Sequence, residues 1–351
     1  MHAKKHLSFS PLIHSFATLL KKLSDPRKGK VEHSLHDIVM GAFACMYMQS
    51  PSLLRHQKIL KRRKDRNNLE TLFELKTTPA ESTIRDNLNK VSSNNIGGVF
   101  KNYLGKVQRS NYLKLYQFID NKYLITLDGS DYFSSKKINC SQCLQQPHKD
   151  GSITYSHKIV QPALLHPDKK QVFPLMPEEV KITDGSTKQD CETNASKRLI
   201  PKIRKAHPKL PFIWLADSLY ATTPIIDDIL EHGEDYIFAA KRGDHKTLYK
   251  NLTECEYQRK DITNPKGKRF LYEWTNTIKL TAKSEIKVNV MRLISVYSDK
   301  NGKSVSKYIG TWITNLNITN ENIVSLIQGA RSRWKIENEC FNTAILDGFL
   351  V

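Results

Sequence analysis

Three carboxylates occupy positions suited to metal-dependent phosphate chemistry. Asp128 follows the apolar, partly β-branched run Tyr123-Leu-Ile-Thr-Leu127, and Asp217 follows Phe212-Ile-Trp-Leu-Ala216. Each run reads as a buried strand, and the reading makes the strands neighbours that both end in an aspartate. Groups at strand ends sit on rigid backbone beside loops that open to solvent. Two such carboxylates are hard, anionic donors suited to Mg²⁺ or Mn²⁺, with positions left for water and phosphate. In a two-metal site, ions roughly 3.5–4 Å apart serve the attacking and the leaving oxygen. The third candidate, Glu337, stands four residues after Arg333, so the pair shares one helix face. Plainer readings compete. Asp is a common turn former, and an exposed Arg–Glu pair contributes only roughly a few tenths of a kcal/mol.

A softer set of donors lies nearby. Cys140, Cys143, His148 and His157 fall within one short stretch. Two thiolates and two imidazoles suit tetrahedral Zn²⁺. In a reducing compartment a close Cys pair favours metal over disulfide. The spacing is not that of a standard finger, so two free thiols and two unrelated histidines form the competing reading. A zinc ion here would be structural, pinning the loop that follows Asp128.

The elements that must hold these groups fall into zones. The first third reads as helical. Ser34 and Asp37 mark a helix start before the apolar stretch that ends at Met48, and a second helical segment covers Thr83 to Lys90. No strand-like alternation precedes about residue 120. Strands then follow at Tyr123 to Leu127, Thr154 to His166 and Gln171 to Leu175, the last two joined as a hairpin by His166-Pro-Asp-Lys-Lys170. Cys191 to Ala206 reads as a helix. Pro224 opens another after the Phe212 strand, and Asp235 to Ala240 is a further strand. This order suits an α/β mixed sheet flanked by helices. Residues 241–316 read as β-rich, with Asp299-Lys-Asn-Gly302 as a turn, and helix returns after Asn320.

Charge points to a polyanion. Lys and Arg number 55 against 35 Asp and Glu, a net charge of +20. Residues 1–112 hold 20 basic and 8 acidic residues, so most of the excess lies in the first third, as expected of a module that grips phosphates. The densest cluster contains Arg62, Arg63, Lys64 and Arg66. Lys241 and Arg242 follow a predicted core strand and are candidates to reach DNA at the site. Trp274 and Trp312 lie in strands, where core packing is commoner than base stacking. The longest apolar stretch, Ile38 to Met48, is too short to span a bilayer, so no membrane partner is expected. Six cysteines are too few for a secreted disulfide scaffold, and no signal peptide is read at Met1 to Lys5, so a cytoplasmic location is expected.

These segments carry a resemblance. Leu127-Asp128-Gly129, Asp217-Ser-Leu-Tyr220 and Arg333-x₃-Glu337 resemble the three catalytic segments of DDE transposases from bacterial insertion sequences. The likeness is to the group whose last motif is Arg-x₃-Glu and whose core is split by a β-rich insertion. Asp25-Pro-Arg-Lys-Gly-Lys30 and Asp131-Tyr-Phe-Ser-Ser-Lys136 resemble that group too. The resemblance implies an all-α basic DNA-binding domain over 1–118 and a ribonuclease-H-like mixed-sheet core over 119–240. It implies a β-rich insertion over 241–316 and a closing core helix over 317–351. Asp128, Asp217 and Glu337 would be the Mg²⁺ or Mn²⁺ ligands, and Tyr220 and Arg333 would position DNA or the carboxylates. Partners would be terminal inverted repeats and target DNA, held by a homodimer. Water would cleave a phosphodiester at the element end, and the freed 3′-hydroxyl would attack target DNA. Ala330 and Ala344 replace a Tyr and a Lys often found in that group, and only 14 residues follow Glu337. The expectation is a C-terminally truncated copy, with a catalytically impaired DNA-binding relic or a metal-dependent DNA nuclease as alternatives.

Overall fold

The structure is a computed structural model that describes residues 5–28, 30–60, 63–182, 189–265, 267–298 and 304–342. Two compact units emerge, one formed by Met1–Leu115 with Phe341–Val351, the other by Tyr116–Cys340.

The first unit is helical. Its helices are α1 (Phe9–Leu20), α2 (Leu35–Tyr47), α3 (Leu53–Leu60), α4 (Arg63–Phe73), α5 (Glu81–Leu88) and α6 (Gly98–Arg109). In α1 the buried residues Ile13, Phe16, Ala17 and Leu20 recur at helical spacing. α2 starts where the sequence signals it: the Ser34 hydroxyl accepts the Asp37 backbone N–H at 3.1 Å. Phe16, Leu20, Val39, Met40, Leu60 and Phe73 meet in one core. The front motif is partly spent on structure. Arg27 turns inward, donating to the Asp25 carboxylate at 2.6 Å and to the His33 carbonyl at 2.8 Å. That bond holds the Asp25 carboxyl below its usual range.

The second unit is mixed α/β. Its strands are β1 (Tyr123–Ser135), β2 (Leu144–Pro147), β3 (Ile153–Leu165), β4 (Phe173–Pro174), β5 (Glu178–Val180), β6 (Phe212–Ala216), β7 (Asp235–Ala239), β8 (Gln258–Thr263), β9 (Arg269–Lys279), β10 (Lys287–Ser298) and β11 (Ser304–Thr314). Its helices are α7 (Glu192–Ala206), α8 (Thr223–Glu231), α9 (Lys246–Thr253) and α10 (Ile323–Arg331). Among the described residues all the strands join one sheet of order β2-β3-β1-β6-β7-β11-β10-β9-β8, with β4 and β5 also paired to β3. β1 runs parallel to β6 and β6 parallel to β7; the other pairings are antiparallel.

β6 is buried along its whole length, which explains its unbroken apolar run. Its residues serve two faces. Ile213 and Leu215 pack with Ile323, Leu326 and Ile327 of α10. On the other face the Arg204 guanidinium of α7 lies over the Phe212 ring, 5.5 Å from its centroid. Gly329 lets α10 approach closely: a Cβ there would stand 2.9 Å from the Phe118 ring. Trp274 and Trp312 both belong to this core.

One reading changes at this level. The strand expected to stop at Leu127 continues to Ser135, because β3 pairs with it antiparallel along almost its full length. Asp128 therefore sits inside a strand and not at its end. Residues 241–316, read as a β-rich insertion, contribute β8 to β11 to the same sheet, joined through the β11–β7 pairing. The proposed turn at 299–302 and the ending from Ala344 lie outside the described residues.

Candidate active site

Asp128 is positioned by asymmetric pairing of its strand. β1 keeps its partner β3 on one side past residue 128, with Asp128 opposite Gln161. On the other side its pairing with β6 stops at Thr126 and Leu215. Continued two residues, that register sets Asp128 level with Asp217, the residue just beyond β6. The Asp217 loop is fixed locally. The Leu219 N–H donates to the Asp217 carboxylate at 2.9 Å, and the Gly129 N–H donates to that of Asp128 at 3.1 Å.

Arg333 ties the third acid to the first. One of its terminal nitrogens donates to Asp128 and the other to Glu337, each at 3.1 Å. Arg333 lies in a tight helical turn, Ser332–Trp334, that follows α10, and Glu337 opens a second turn, Glu337–Phe341. Lys335, between the two, docks them. Its ammonium donates to the carbonyls of His166 at 2.9 Å, Pro167 at 2.6 Å and Lys169, all in the β3–β4 connection.

Electrostatics bind the three acids into one group. Burial pushes the Asp128 carboxyl up from an ordinary 3.8 to about 6. Arg333 opposes that rise, while Glu337 and Asp217 add repulsion in the same direction. Arg333 pairs with Asp128 and Glu337, and Asp217 adds a third acid whose charge reaches Asp128, so the group carries excess negative charge. That is the donor chemistry a hard divalent cation requires.

A fourth acid, Glu192, was not anticipated. It opens α7, where the helix dipole favours a negative side chain. Its carboxylate accepts from the Lys158 ammonium at 3.0 Å and from the Tyr220 hydroxyl at 3.2 Å. It lies directly over Gly129: a Cβ on that glycine would sit 2.3 to 2.5 Å from the Glu192 carboxylate. Tyr220, expected to hold DNA or the carboxylates, is fully buried and holds a carboxylate. Burial, with Glu192 and Asp128 beside it, pushes its phenol well up, so it stays a donor.

The basic candidates divide. Lys241 and Arg242 are exposed in the turn after β7, at the same edge as the Asp217 loop. Ser218 joins the two loops by donating to Asp244 at 2.7 Å. Arg62 lies outside the described residues. Arg63, Lys64 and Arg66 fall on α4, and their side chains lie outside the described set.

The Cys/His set loses one member. Cys140, Cys143 and His157 converge, and among the described residues they are the group of His, Cys, Asp or Glu whose donor atoms all lie within 4.8 Å of one another. The acids around Asp128 do not close to that spacing. His148 is elsewhere: its ring bonds the Thr154 hydroxyl at 2.7 Å across the β2–β3 hairpin, whose turn it begins. The hairpin register explains this, since Pro147 pairs with Ile153 and leaves His148 in the turn.

No protein-family model matches this chain, and no curated protein matches it.

Proposed function

We propose that the chain is a DDE-type DNA transposase, cutting and joining insertion-sequence ends by phosphoryl transfer at Asp128, Asp217 and Glu337. The observation that carries the reading is the Arg333 bridge between Asp128 and Glu337, residues 209 positions apart that the resemblance alone had paired. The sheet order adds support for a ribonuclease-H-like core: the strand bearing the first acid has an antiparallel partner, β3, on one side and the parallel strand β6, followed by parallel β7, on the other.

Asp128, Asp217 and Glu337 are the residues that would hold Mg²⁺ or Mn²⁺, and their uncompensated charge fits such an ion. When bound, a divalent ion supplies Lewis-acid polarisation of phosphate and a more acidic water. The chain's own groups do the rest. Arg333 orients two of the acids, and its planar fork suits a phosphate oxygen that arrives between them. Tyr220 and Lys158 hold Glu192 in place beside β1. Lys241 and Arg242 offer cations to the DNA backbone at this edge, and the basic first unit supplies sequence-independent grip. A homodimer on the two element ends follows from the same reading.

The test is a strand-transfer assay with element-end DNA and Mg²⁺. The wild-type chain should join ends to target DNA, and Asp128→Asn, Asp217→Asn and Glu337→Gln should each lose about a hundredfold or more. Cleavage without joining would replace the transposase reading by a nuclease.

A further inference from the structure

We propose that Cys140, Cys143 and His157 form a Zn²⁺ site with three protein ligands and one open position. The geometry carries this inference without reference to the carboxylate site. Zinc with sulfur at about 2.3 Å and nitrogen at about 2.05 Å, at tetrahedral angles, sets sulfurs ~3.8 Å apart and sulfur to nitrogen ~3.6 Å apart. The two Sγ atoms lie 3.7 Å apart, and His157 Nε2 lies 3.3 Å from Cys140 Sγ and 3.4 Å from Cys143 Sγ. The three atoms thus already form one face of the required tetrahedron.

Two backbone donors face the sulfurs. The Cys140 N–H points at Cys143 Sγ at 3.3 Å, and the Gln142 N–H points at Cys140 Sγ at 3.4 Å. Both donors stabilise negative sulfur, as expected of a Cys-x₂-Cys ligand turn. The imidazole is held by its neighbours: the Tyr132 ring stacks on it at 5.7 Å and 18°, and Phe133 lies 5.7 Å away, tilted. Cys143 is buried, His157 half-buried and Cys140 exposed, so an ion enters from solvent without unfolding. Both cysteines are free thiols. Zn²⁺ binding releases the two thiol protons to solvent, and water fills the fourth position.

The site joins the loop after β1 to β3 beside an irregularity in their pairing. The β1–β3 register shifts between Asp131 and Phe133, leaving Tyr132 as the extra residue. The next residue after His157 is Lys158, which holds both Glu192 and Asp131. Zinc therefore fixes the distorted end of β1, one residue away in sequence from the Lys158 contact to Glu192.

The full chain, purified without chelator, should contain one zinc per molecule by elemental analysis. Cobalt exchanged into it should show thiolate-to-metal charge-transfer bands. Cys140→Ser, Cys143→Ser and His157→Ala should lose the metal and lower the melting temperature. His157→Cys should retain it, and Asp128→Asn and His148→Ala should keep full zinc. A wild-type chain that binds neither zinc nor cobalt through sulfur overturns the proposal, whatever the variants do. A Cys140–Cys143 disulfide under reducing purification also overturns it. Zinc lost in His148→Ala would overturn the three-ligand assignment, and zinc lost in Asp128→Asn would place the ion at the carboxylates instead.

Discussion

Asp128 is an acid held where its charge is disfavoured. Its pKa is raised when folded, from 3.8 to about 6, so the folded chain binds this proton more tightly than the unfolded chain. The linked stability is intact below about pH 4, falls as pH rises towards 6 and stays lost above it. Asp128→Asn removes the buried charge. In a chelating buffer at pH 7.5 it should stabilise the fold by up to about 3 kcal/mol, and at pH 4 it should change little. Thermal melts at the two pH values check this; equal shifts would deny that the carboxylate is strained. At this scale the apolar runs and the Arg333–Glu337 spacing were legible in the sequence, while grouping the three acids rested on the resemblance. Asp128 and Asp217 each end an apolar run, and Glu337 shares a helical face with Arg333. Glu192 was hidden because a first-turn glutamate is ordinary. Only Gly129, lacking a side chain beneath it, shows that the space is reserved. His148 misled for the opposite reason: its donor chemistry is right, but the β2–β3 register puts it in a turn.

Strands and helices set how closely the acids meet. β1 delivers Asp128 through a lost β6 pairing, and the two turns after α10 deliver Arg333 and Glu337, docked by Lys335 on the β3–β4 connection. Lys335 makes that dock. Its ammonium is only partly buried, and burial draws its pKa down. Lys335→Met keeps the bulk and removes three hydrogen bonds to carbonyls, so it should cost about 1–3 kcal/mol of stability and weaken divalent-ion binding in parallel. Calorimetric unfolding with a Mn²⁺ titration checks both; wild-type values for each would show that Lys335 does not position the site. The short core strands were legible because complete burial leaves an unbroken apolar run, as in β6. The extension of β1 was not, since Asp128 and Gly129 are turn-forming residues that pairing with β3 overrides. Nor was the joining of β11 to β7, a contact between segments some 75 residues apart whose pattern marks a strand but names no partner.

The whole molecule is a strong polycation, +20 over 351 residues. DNA binding driven by phosphate contacts weakens linearly in log–log salt plots, by about 0.9 for each phosphate neutralised. If Arg62, Arg63, Lys64 and Arg66 each neutralise a phosphate, changing all four to Ala should lower that slope by about 3–4. Fluorescence anisotropy on duplex DNA across a salt series reads this directly, and an unchanged slope would remove the cluster from the DNA surface. A helical front and a strand-rich remainder were legible as zones of secondary structure. The charge asymmetry was visible in the composition, whereas the continuity of one sheet from β2 to β8 depends on pairings no local pattern encodes. The most direct test of the central claim is a Mn²⁺ titration of the full chain followed by electron paramagnetic resonance. Asp128→Asn, Asp217→Asn and Glu337→Gln should each weaken binding by tenfold or more, while Cys140→Ser leaves it unchanged. Wild-type Mn²⁺ affinity in all three carboxylate variants would contradict the account.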